Sequence, residues 1–443
     1  MSIFIMQLTR SLNSHLMWKL LGFGLQLIIT IFLSRMLEAA DSGRFFYFVS
    51  WLTFFILIGS GGLDSAITYF LASGKMAKDQ LLSVCLLWLV VVLIILSLAG
   101  YLFADQIIFL NDFPENGLVY GILYIGGYLC IHFFTSFFYG EHQFLFPSKF
   151  LFYTTLIYVF LLTICSAYFS SASLHIFIVK SFIWMIGLQG LLLALLYLFR
   201  SGFSFDKIVF SKNTALRMMK YGFWVISANL LFFAVTRIDY WFLKIWKQPD
   251  TEIGNYIQVS RIAQLLQLLP SMLAAYFFPM TASKGDQMIP HLTRMSRFLI
   301  FINSMMIFPV ALFGQYIFPF VFGNTYDQMH TIFLLYIPGM LALSVLAIMS
   351  TYFAGINMVR INMLISLMGL VIVCAGNWYL IPFYGTKAAA FVSSVAYVIC
   401  CMIAVVLFLR KAALPLSDML ILQRKDLNLM KKVLAELINV RKY

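Results

Sequence analysis

Apolar stretches of more than 20 residues without a single charged side chain recur along this chain, and five of them are the clearest. An apolar stretch of roughly 18 residues can cross a bilayer, and a backbone inside hydrocarbon must satisfy its own polar groups, as long helices do. Hydrophobic residues make up 62% of the chain and charged residues 11%, against roughly 25% charged in soluble domains. We therefore predict an all-α polytopic membrane protein. The five stretches are Leu81–Phe103, Phe298–Phe318, Thr331–Ala354, Ile361–Ile381 and Ala388–Leu409.

Seven further spans bring the predicted number of transmembrane helices to twelve. Gly117–Gly140, Phe150–Phe169 and His175–Phe199 are three of them, and two amphipathic pairs supply the other four. The first span begins near Leu12. It is too long for a signal peptide and no small-residue processing site follows it, so we expect an uncleaved first helix.

The two amphipathic pairs resemble each other. His15–Leu33 leads into Asp41-Ser-Gly-Arg-Phe45, and Ser227–Leu243 leads into Glu252-Ile-Gly-Asn-Tyr256, with 254 − 43 = 211 residues between the central glycines. Duplicated halves in membrane proteins commonly frame a substrate site and rock about it. We predict two parallel six-helix lobes around a central cavity, comprising residues 1–205 and 206–410, followed by a cytoplasmic tail at 411–443.

Positive charge gives the orientation. If the N-terminus is cytoplasmic, the inner loops and termini carry 22 of the 30 Lys and Arg residues and the outer loops carry five. This bias is the one that orients membrane proteins, so both termini are predicted to be cytoplasmic. It also accounts for the net charge of +13 without nucleic acid as a partner.

The tail has a helical pattern of apolar positions at Leu427, Met430, Leu434 and Leu437, with lysines between them. A basic amphipathic helix of this kind tends to lie on an anionic membrane surface. A solvated tail helix is the alternative.

Five charged residues remain inside the predicted spans after the loops are subtracted. Charges in hydrocarbon cost at least a few kcal/mol each, so such residues are functional-site candidates. Lys180, Arg237 and Arg261 are expected at a similar depth in the outer half of the membrane, with Asp239 beside Arg237. Asp64 is near the inner end of the second span, where reaching the interface is an equally good explanation. The five are Asp64, Lys180, Arg237, Asp239 and Arg261.

Polar stripes on two amphipathic helices indicate a cavity. At 100° per residue, one stripe contains Lys19, Gln26 and Thr30, and another contains Arg261, Gln264 and Gln267. A polar stripe cannot face lipid, because unsatisfied polar groups are costly there. Interhelical hydrogen bonding is the competing explanation, and for the Gln and Thr positions alone it is the better one.

The cations shift the balance toward a binding cavity. Asp239 cannot neutralise three cations, and residues two apart on a helix do not face each other. An uncompensated cationic cavity implies an anionic ligand, and the planar fork of Arg suits phosphate. The six cysteines show no metal-ligand spacing, and no cofactor or metal is expected.

These residues resemble a known family. The acidic-x-Gly-x-aromatic step at Asp41–Phe45, the Gly61-Gly-Leu-Asp-Ser-Ala66 segment, and their counterparts from Arg237-Ile-Asp239 to Tyr256 look like the polysaccharide-export branch of the MOP exporter superfamily. That branch includes O-antigen and capsule repeat-unit flippases and is related to lipid II flippases and MATE exporters. The resemblance covers about residues 5–410. It implies a MATE-like two-lobed fold with a cationic central cavity.

The resemblance also implies a function. We expect a flippase for an undecaprenyl-pyrophosphate-linked oligosaccharide in the bacterial inner membrane, with membrane lipids, a polysaccharide polymerase and chain-length machinery as partners. The pyrophosphate would meet Arg237, Arg261 and Lys180, and Lys19, Gln26, Thr30, Gln264 and Gln267 would line the cavity. Whether Asp239 couples to H⁺ or Na⁺ or pairs with an arginine stays open.

Two alternatives differ in their sequence requirements. A MATE-type multidrug or cation antiporter usually needs acidic residues in the cavity, whereas the excess here is basic. A membrane-bound polysaccharide polymerase or ligase generally needs a large periplasmic loop with catalytic residues, and the predicted outer loops are short. We therefore expect a transporter rather than an enzyme.

Overall fold

A computed structural model describes most of the chain. It covers residues 2–72, 74–102, 117–168, 171–202, 211–356, 358–413, 415 and 419. Side chains are described in the same ranges except at 2–16, 166–168, 171–176, 275–276, 279, 282–284 and 359. The predicted tail helix and the side chain of His15 lie outside the described residues.

Every regular element in these ranges is a helix. Twelve α-helices follow one another, and a short 3₁₀ turn, Gly285–Met288, separates α9 from α10. The helices are α1 Ser2–Ser60, α2 Leu63–Ala72, α3 Lys78–Leu102, α4 Gly117–Gly140, α5 Leu145–Tyr168, α6 Ser171–Ser201, α7 Lys212–Ile245, α8 Asp250–Leu266, α9 Leu268–Lys284, α10 Ile289–Phe322, α11 Met329–Gly355 and α12 Val359–Ala412.

Nine helical segments in the described part of the chain are long and apolar enough to cross a membrane. The prediction of an all-α, multi-pass membrane protein is confirmed. The nine are Met17–Ser60, Lys78–Leu102, Gly117–Gly140, Leu145–Cys165, Phe177–Ser201, Lys212–Ile245, Gly285–Phe322, Met329–Gly355 and Arg360–Ala412.

The count of twelve spans depends on three bent or broken segments. Helix α1 has 59 residues and α12 has 54, and each contains one non-helical residue, Glu38 (φ 58°, ψ 179°) and Gly385 (φ 57°, ψ −137°) respectively. A straight helix of 54 residues would be about 81 Å long, so each can supply two spans of about 30 Å. Helices α8 and α9, with 17 residues each, meet at Gln267. Nine segments and two bends give 9 + 2 = 11 spans. The twelfth, at α8–α9, stays a prediction.

Two compact units divide the chain. The first comprises Met1–Phe233 with Val321–Gly323, and the second comprises Ala234–Phe320 with Asn324–Tyr443. The main boundary falls inside α7, whereas the sequence pattern places the lobe boundary at residue 205.

In the first unit, α4 is the central helix and packs against α1, α2, α3 and α6. Its buried face carries four phenylalanines, and the rings of Phe134, Phe137 and Phe138 contact Tyr197 of α6. Two glycines allow α4 and α6 to touch, because a Cβ atom at Gly190 would collide with the backbone of Gly127. Close approach at small residues is a common way for helices to associate in membranes. The phenylalanines are Phe133, Phe134, Phe137 and Phe138.

Two glycines separate the end of α1 from the start of α2. Gly61 and Gly62 both have positive φ, 56° and 68°, which only glycine adopts readily. A Cβ atom at Gly62 would collide with the backbone of Gly222 in α7. The neighbouring residue of α7, Tyr221, stacks on Tyr69 of α2 with ring centroids 5.0 Å apart. This glycine pair lets α2 and the start of α7 pack closely within the first unit.

In the second unit, α11 and α12 form the main packed pair, with α9 against α11. The core includes Tyr352 and Phe353 of α11 and Phe408 of α12. The two arms of α12 lie side by side, because the Cβ positions of Gly369 and Gly376 are next to Cys400 and Val392 respectively. This hairpin brings α12 residues that are distant in sequence to the α7–α8 pair.

A buried carboxylate and two arginines in the second unit

The α7–α8 turn positions the polar residues of the second unit. Pro249 precedes the first turn of α8, and Asp250 and Glu252 lie in that turn, where the helix dipole favours negative charge. Lys244 near the end of α7 forms a salt bridge of 2.8 Å with Asp250. The turn therefore folds α8 back along α7, so that residues near 239 approach residues near 256.

Asp239 is fully buried and accepts three hydrogen bonds. The Tyr240 N–H donates to its Oδ1 at 3.0 Å, and the hydroxyls of Tyr256 and Ser393 donate to its Oδ2, the latter at 3.3 Å. Two further tyrosines extend the cluster: the rings of Tyr256 and Tyr336 are 6.3 Å apart, and that of Tyr397 is 6.1 Å from Tyr336. All hydrogen-bond donors to Asp239 among the described residues are uncharged.

Arg237 has different partners. Its guanidinium donates to the Tyr240 hydroxyl and, at 2.5 Å, to Oε1 of Gln264, and it lies 5.0 Å from the centre of the Tyr240 ring. No carboxylate in the described part of the chain is within salt-bridge distance of it. As the two-residue spacing predicts, Arg237 and Asp239 do not face each other.

Arg261 lies on α8 and is half-buried. Both Arg261 and Arg237 are within electrostatic range of the Tyr240 hydroxyl. Gln264, one turn after Arg261, is exposed and bonded to Arg237. The structure thus brings together three of the predicted site residues around one tyrosine.

Gln267 belongs to another network. Its amide donates to the Met340 carbonyl at 3.2 Å and to the Ser344 hydroxyl at 3.3 Å, and Asn303 donates to Ser344 at 2.6 Å. These bonds tie the α8–α9 junction to α10 and α11. Gln267 therefore joins helices, which is the competing explanation for the glutamines of this stripe.

The other predicted site residues lie in the first unit. Lys180 is half-buried with its Nζ 5.7 Å from the centre of the Tyr120 ring, and Lys19 is exposed with its Nζ 5.7 Å from that of Tyr139. Gln26 is exposed. Thr30 is buried and donates to the Gln26 carbonyl at 2.8 Å.

Asp64 lies in the first turn of α2. One of its carboxylate oxygens is buried and has no hydrogen-bond partner among the described residues. His132 of α4 is within electrostatic range. We assign Asp64 no role.

The sequence analysis missed two polar residues at Asp239 and one buried amide elsewhere in α12. Tyr256 and Ser393 are hydrogen-bond donors to Asp239, and Asn377 of α12 is fully buried with both amide atoms unpartnered in the described part of the chain. The pairing of Gly376 with Val392 places Asn377 near Ser393 in the α12 hairpin. A search limited to charged residues cannot find neutral ones. The sequence offered one signal for them: Asn377 and Ser393 are polar residues inside otherwise apolar spans.

The fold of this chain is similar to those of solved membrane transporters. The Vibrio cholerae MATE transporter VcmN in the bent form matches with a TM-score of 0.61 and 15% identity over 93% of this chain and 97% of that one. The lipid II flippase MurJ in an inward closed conformation matches with a TM-score of 0.67 and 15% identity over 91% of this chain and 89% of that one. A Pyrococcus furiosus MOP superfamily transporter is described as having a binding pocket of reverse polarity. It matches with a TM-score of 0.62 and 14% identity over 92% of this chain and 95% of that one.

The family follows from the sequence match. Residues 8–284 match the family described as "Polysaccharide biosynthesis protein", and the chain belongs to this family. No curated protein sequence gives a significant match. Together, family and fold confirm the predicted resemblance to the polysaccharide flippase branch of the MOP superfamily, and they support a flippase-type transporter.

Proposed function

We propose that this protein is a flippase that moves an undecaprenyl-pyrophosphate-linked oligosaccharide, an O-antigen or capsule repeat unit, from the cytoplasmic to the periplasmic leaflet by alternating access. The observation that carries this proposal is the pair of arginines at Tyr240. The hydrogen-bond partners of Arg237 are the Tyr240 hydroxyl and Gln264, both neutral, and Asp239 acts on it only through space, so its guanidinium can still form a charge-assisted bond with an anionic ligand. Guanidinium groups bind phosphate oxygens in a bidentate manner.

Each arginine would contact the pyrophosphate while the sugars occupy the polar region beside it. Gln264 lies at the exposed edge of this cluster, where an amide suits a sugar hydroxyl. The proposal also keeps the predicted cavity residues Lys180, Lys19, Gln26, Thr30 and Gln267. Lys180 and Lys19 already rest on tyrosine rings, so we assign them a smaller contribution.

Asp239 is the candidate for coupling. Its buried carboxylate has neutral donors only among the described residues, and an ionised carboxylate is costly to bury without a positive partner. A proton or a Na⁺ ion would supply that partner.

The membrane orientation is part of the same proposal. Both termini are placed in the cytoplasm of a bacterial inner-membrane protein, because 22 of 30 Lys and Arg then lie on that side. Reporter tags fused at either end should both report a cytoplasmic location, and a periplasmic tag at one end would contradict the even number of spans.

The test of function is loss of flipping in the double variant Arg237→Ala/Arg261→Ala. Losing a charge-assisted bond costs about 1.5–3 kcal/mol, so each single variant should lower affinity on the order of ten- to hundredfold. Removing a charge from a span should not harm insertion. Lys should rescue only partly, because it keeps the charge but lacks the fork. The measurement is accumulation of lipid-linked repeat units at the cytoplasmic face, with membrane levels checked.

Two variants serve as controls for this test. Arg217→Ala removes an exposed cation near the start of α7 and should leave export unchanged. Lys180→Gln should reduce export less than either single arginine variant. Near-normal export by the double variant would overturn the cationic-site mechanism.

A further inference from the structure

A groove of about 530 Å³ runs between α5 and α6 in the first unit. It exists because the two helices have different neighbours: α5 packs mainly on α1, whereas α6 packs mainly on α4. The groove extends from Thr154 to Cys165 on α5 and from Phe177 to Leu192 on α6. Twelve residues of helix correspond to about 18 Å, which is more than half of the roughly 30 Å hydrocarbon core.

The walls of the groove are apolar and face outward. Ile157, Leu161, Trp184 and Leu188 line it, and each is about half exposed. Both helices include candidate membrane spans, so the medium outside them is hydrocarbon rather than water. The surface therefore suits a hydrocarbon chain.

The floor of the groove contains polar groups that are already satisfied. The amide of Gln189 donates to Thr154 and Thr155 at 2.9 and 3.0 Å, and the hydroxyls of Tyr158 and Ser181 are 3.1 Å apart. These bonds join α5 to α6 and fix the groove's width. Because the polar atoms bond one another, the floor offers little to a polar ligand and a tolerable surface to an apolar one.

A cation lies beyond one end of the groove. The guanidinium of Arg200, at the end of α6, lies 5.6 Å from the centre of the ring of Phe146, in the first turn of α5. This contact joins the same two helices about 12 Å past Leu192 along α6. Arg200 is exposed, so a phosphate group attached to a chain in the groove would reach it and gain a bidentate partner.

We propose that the α5–α6 groove binds the polyprenyl chain of the lipid-linked substrate, with its phosphate end at Arg200. The choice of a polyprenyl carrier over a bilayer phospholipid rests on the proposed function. The state bound in the groove is the one that precedes translocation, before the pyrophosphate leaves Arg200 for Arg237 and Arg261.

The experiment is photo-crosslinking in vesicles that contain the full-length protein. The probe is undecaprenyl phosphate with a diazirine in its tail, and labelled peptides are mapped by mass spectrometry. We expect labelling on α5 and α6 that is displaced by unlabelled undecaprenyl phosphate and not by an equal amount of added phosphatidylglycerol. Equal displacement by phosphatidylglycerol would overturn the proposal in favour of an ordinary lipid site.

Matched variants make the result specific to the groove. Leu161→Trp places a larger ring in it and should lower labelling, since the ring removes van der Waals contacts between the groove and the chain. Leu156→Trp is the control, because Leu156 is 41% exposed on the same helix, against 52% for Leu161, and lies outside the groove. Arg200→Gln should also lower labelling, and Lys220→Gln, on an exposed face of α7, should not.

The outcomes separate this inference from the proposed function. Unchanged labelling in Leu161→Trp, or labelling confined to other helices, would overturn the groove site whether or not flipping occurs. Failure of unlabelled undecaprenyl phosphate to displace any label, together with normal repeat-unit distribution in cells that lack the protein, would overturn the proposed function as well.

Discussion

Two segments 211 residues apart contain different chemistry in the two units. In the second unit, Asp239 accepts hydrogen bonds from Tyr256 and Ser393. Subtracting 211 from these positions gives Ile28, Phe45 and Phe182 in the first unit. There Phe45 and Phe182 form an edge-to-face aromatic pair with centroids 5.7 Å apart.

The same offset relates the arginines to neutral residues. Arg237, Arg261 and Gln264 correspond to Gln26, Ser50 and Thr53. A repeated helical arrangement therefore carries an aromatic contact in one unit and a buried carboxylate with nearby cations in the other. The repeated sequence pattern therefore indicates how the helices pack and does not indicate where charges lie. At the compared positions, charged residues occur in the second unit only.

The largest expected effect comes from changing Asp239 to its first-unit counterpart. Asp239→Ile would leave the Tyr256 and Ser393 hydroxyls without their acceptor, at about 1–3 kcal/mol for each buried group. We expect marked loss of thermal stability in detergent and of export. Ile28→Val is the control and should change neither appreciably. Wild-type melting behaviour for Asp239→Ile would show that the carboxylate does not organise the second unit.

Asp239→Asn separates charge from packing. The amide oxygen can still accept from Tyr256 and Ser393, but the amide nitrogen then faces the Tyr240 N–H, so the protein should melt below the wild type and above Asp239→Ile. Flipping in proteoliposomes should lose its response to an imposed H⁺ or Na⁺ gradient, because an amide cannot carry the negative charge. A response equal to that of the wild type would remove Asp239 as the coupling group.

An intermediate effect is expected from exchanging the aromatic residues. Tyr256→Phe keeps the ring contacts with Tyr240 and Tyr336 but removes one donor to Asp239, for an expected loss of about 1–2 kcal/mol. Phe45→Tyr adds a hydroxyl beside Phe182, and burying it costs on the order of 1–3 kcal/mol unless it finds a partner. Thermal melting measures both. A stabilised Phe45→Tyr variant would show that the first unit also tolerates a polar centre.

The smallest effect concerns the bends in α1 and α12. Glu38 has φ 58° and ψ 179°, a conformation that strains any residue with a Cβ, whereas Gly385 occupies the positive-φ bend of α12 without that cost. We expect Glu38→Gly to be more stable than Glu38→Ala by about 1–2 kcal/mol, because both lack the carboxylate and only Ala keeps the strain. Gly385→Ala should destabilise, since its Cβ would lie 2.5 Å from Oε1 of Gln248. Equal melting of the two Glu38 variants would contradict the assignment of strain.

Particular residues show how far the sequence could predict the site. Arg237, Arg261 and Gln264 were chosen because charge and polarity inside a span are costly and periodicity puts them on one face, and they do meet at Tyr240. Gln267 shared that periodicity but bonds to α11, since the helix breaks at this residue. Lys180 was grouped with the arginines by depth alone. It lies in the other unit, and its place in the site stays a prediction.

The sequence by itself determined the all-helical membrane fold, the positions of the apolar spans and the internal repeat. These follow from local properties, since transfer to hydrocarbon and helical periodicity depend on residues close together along the chain. Tertiary structure decided which groups surround Asp239. Ser393 lies 154 residues away along the chain and is neutral. Only the packing of α12 on α7 and α8 brings Ser393 to the carboxylate, because a hydrogen bond between distant residues leaves no mark on local composition.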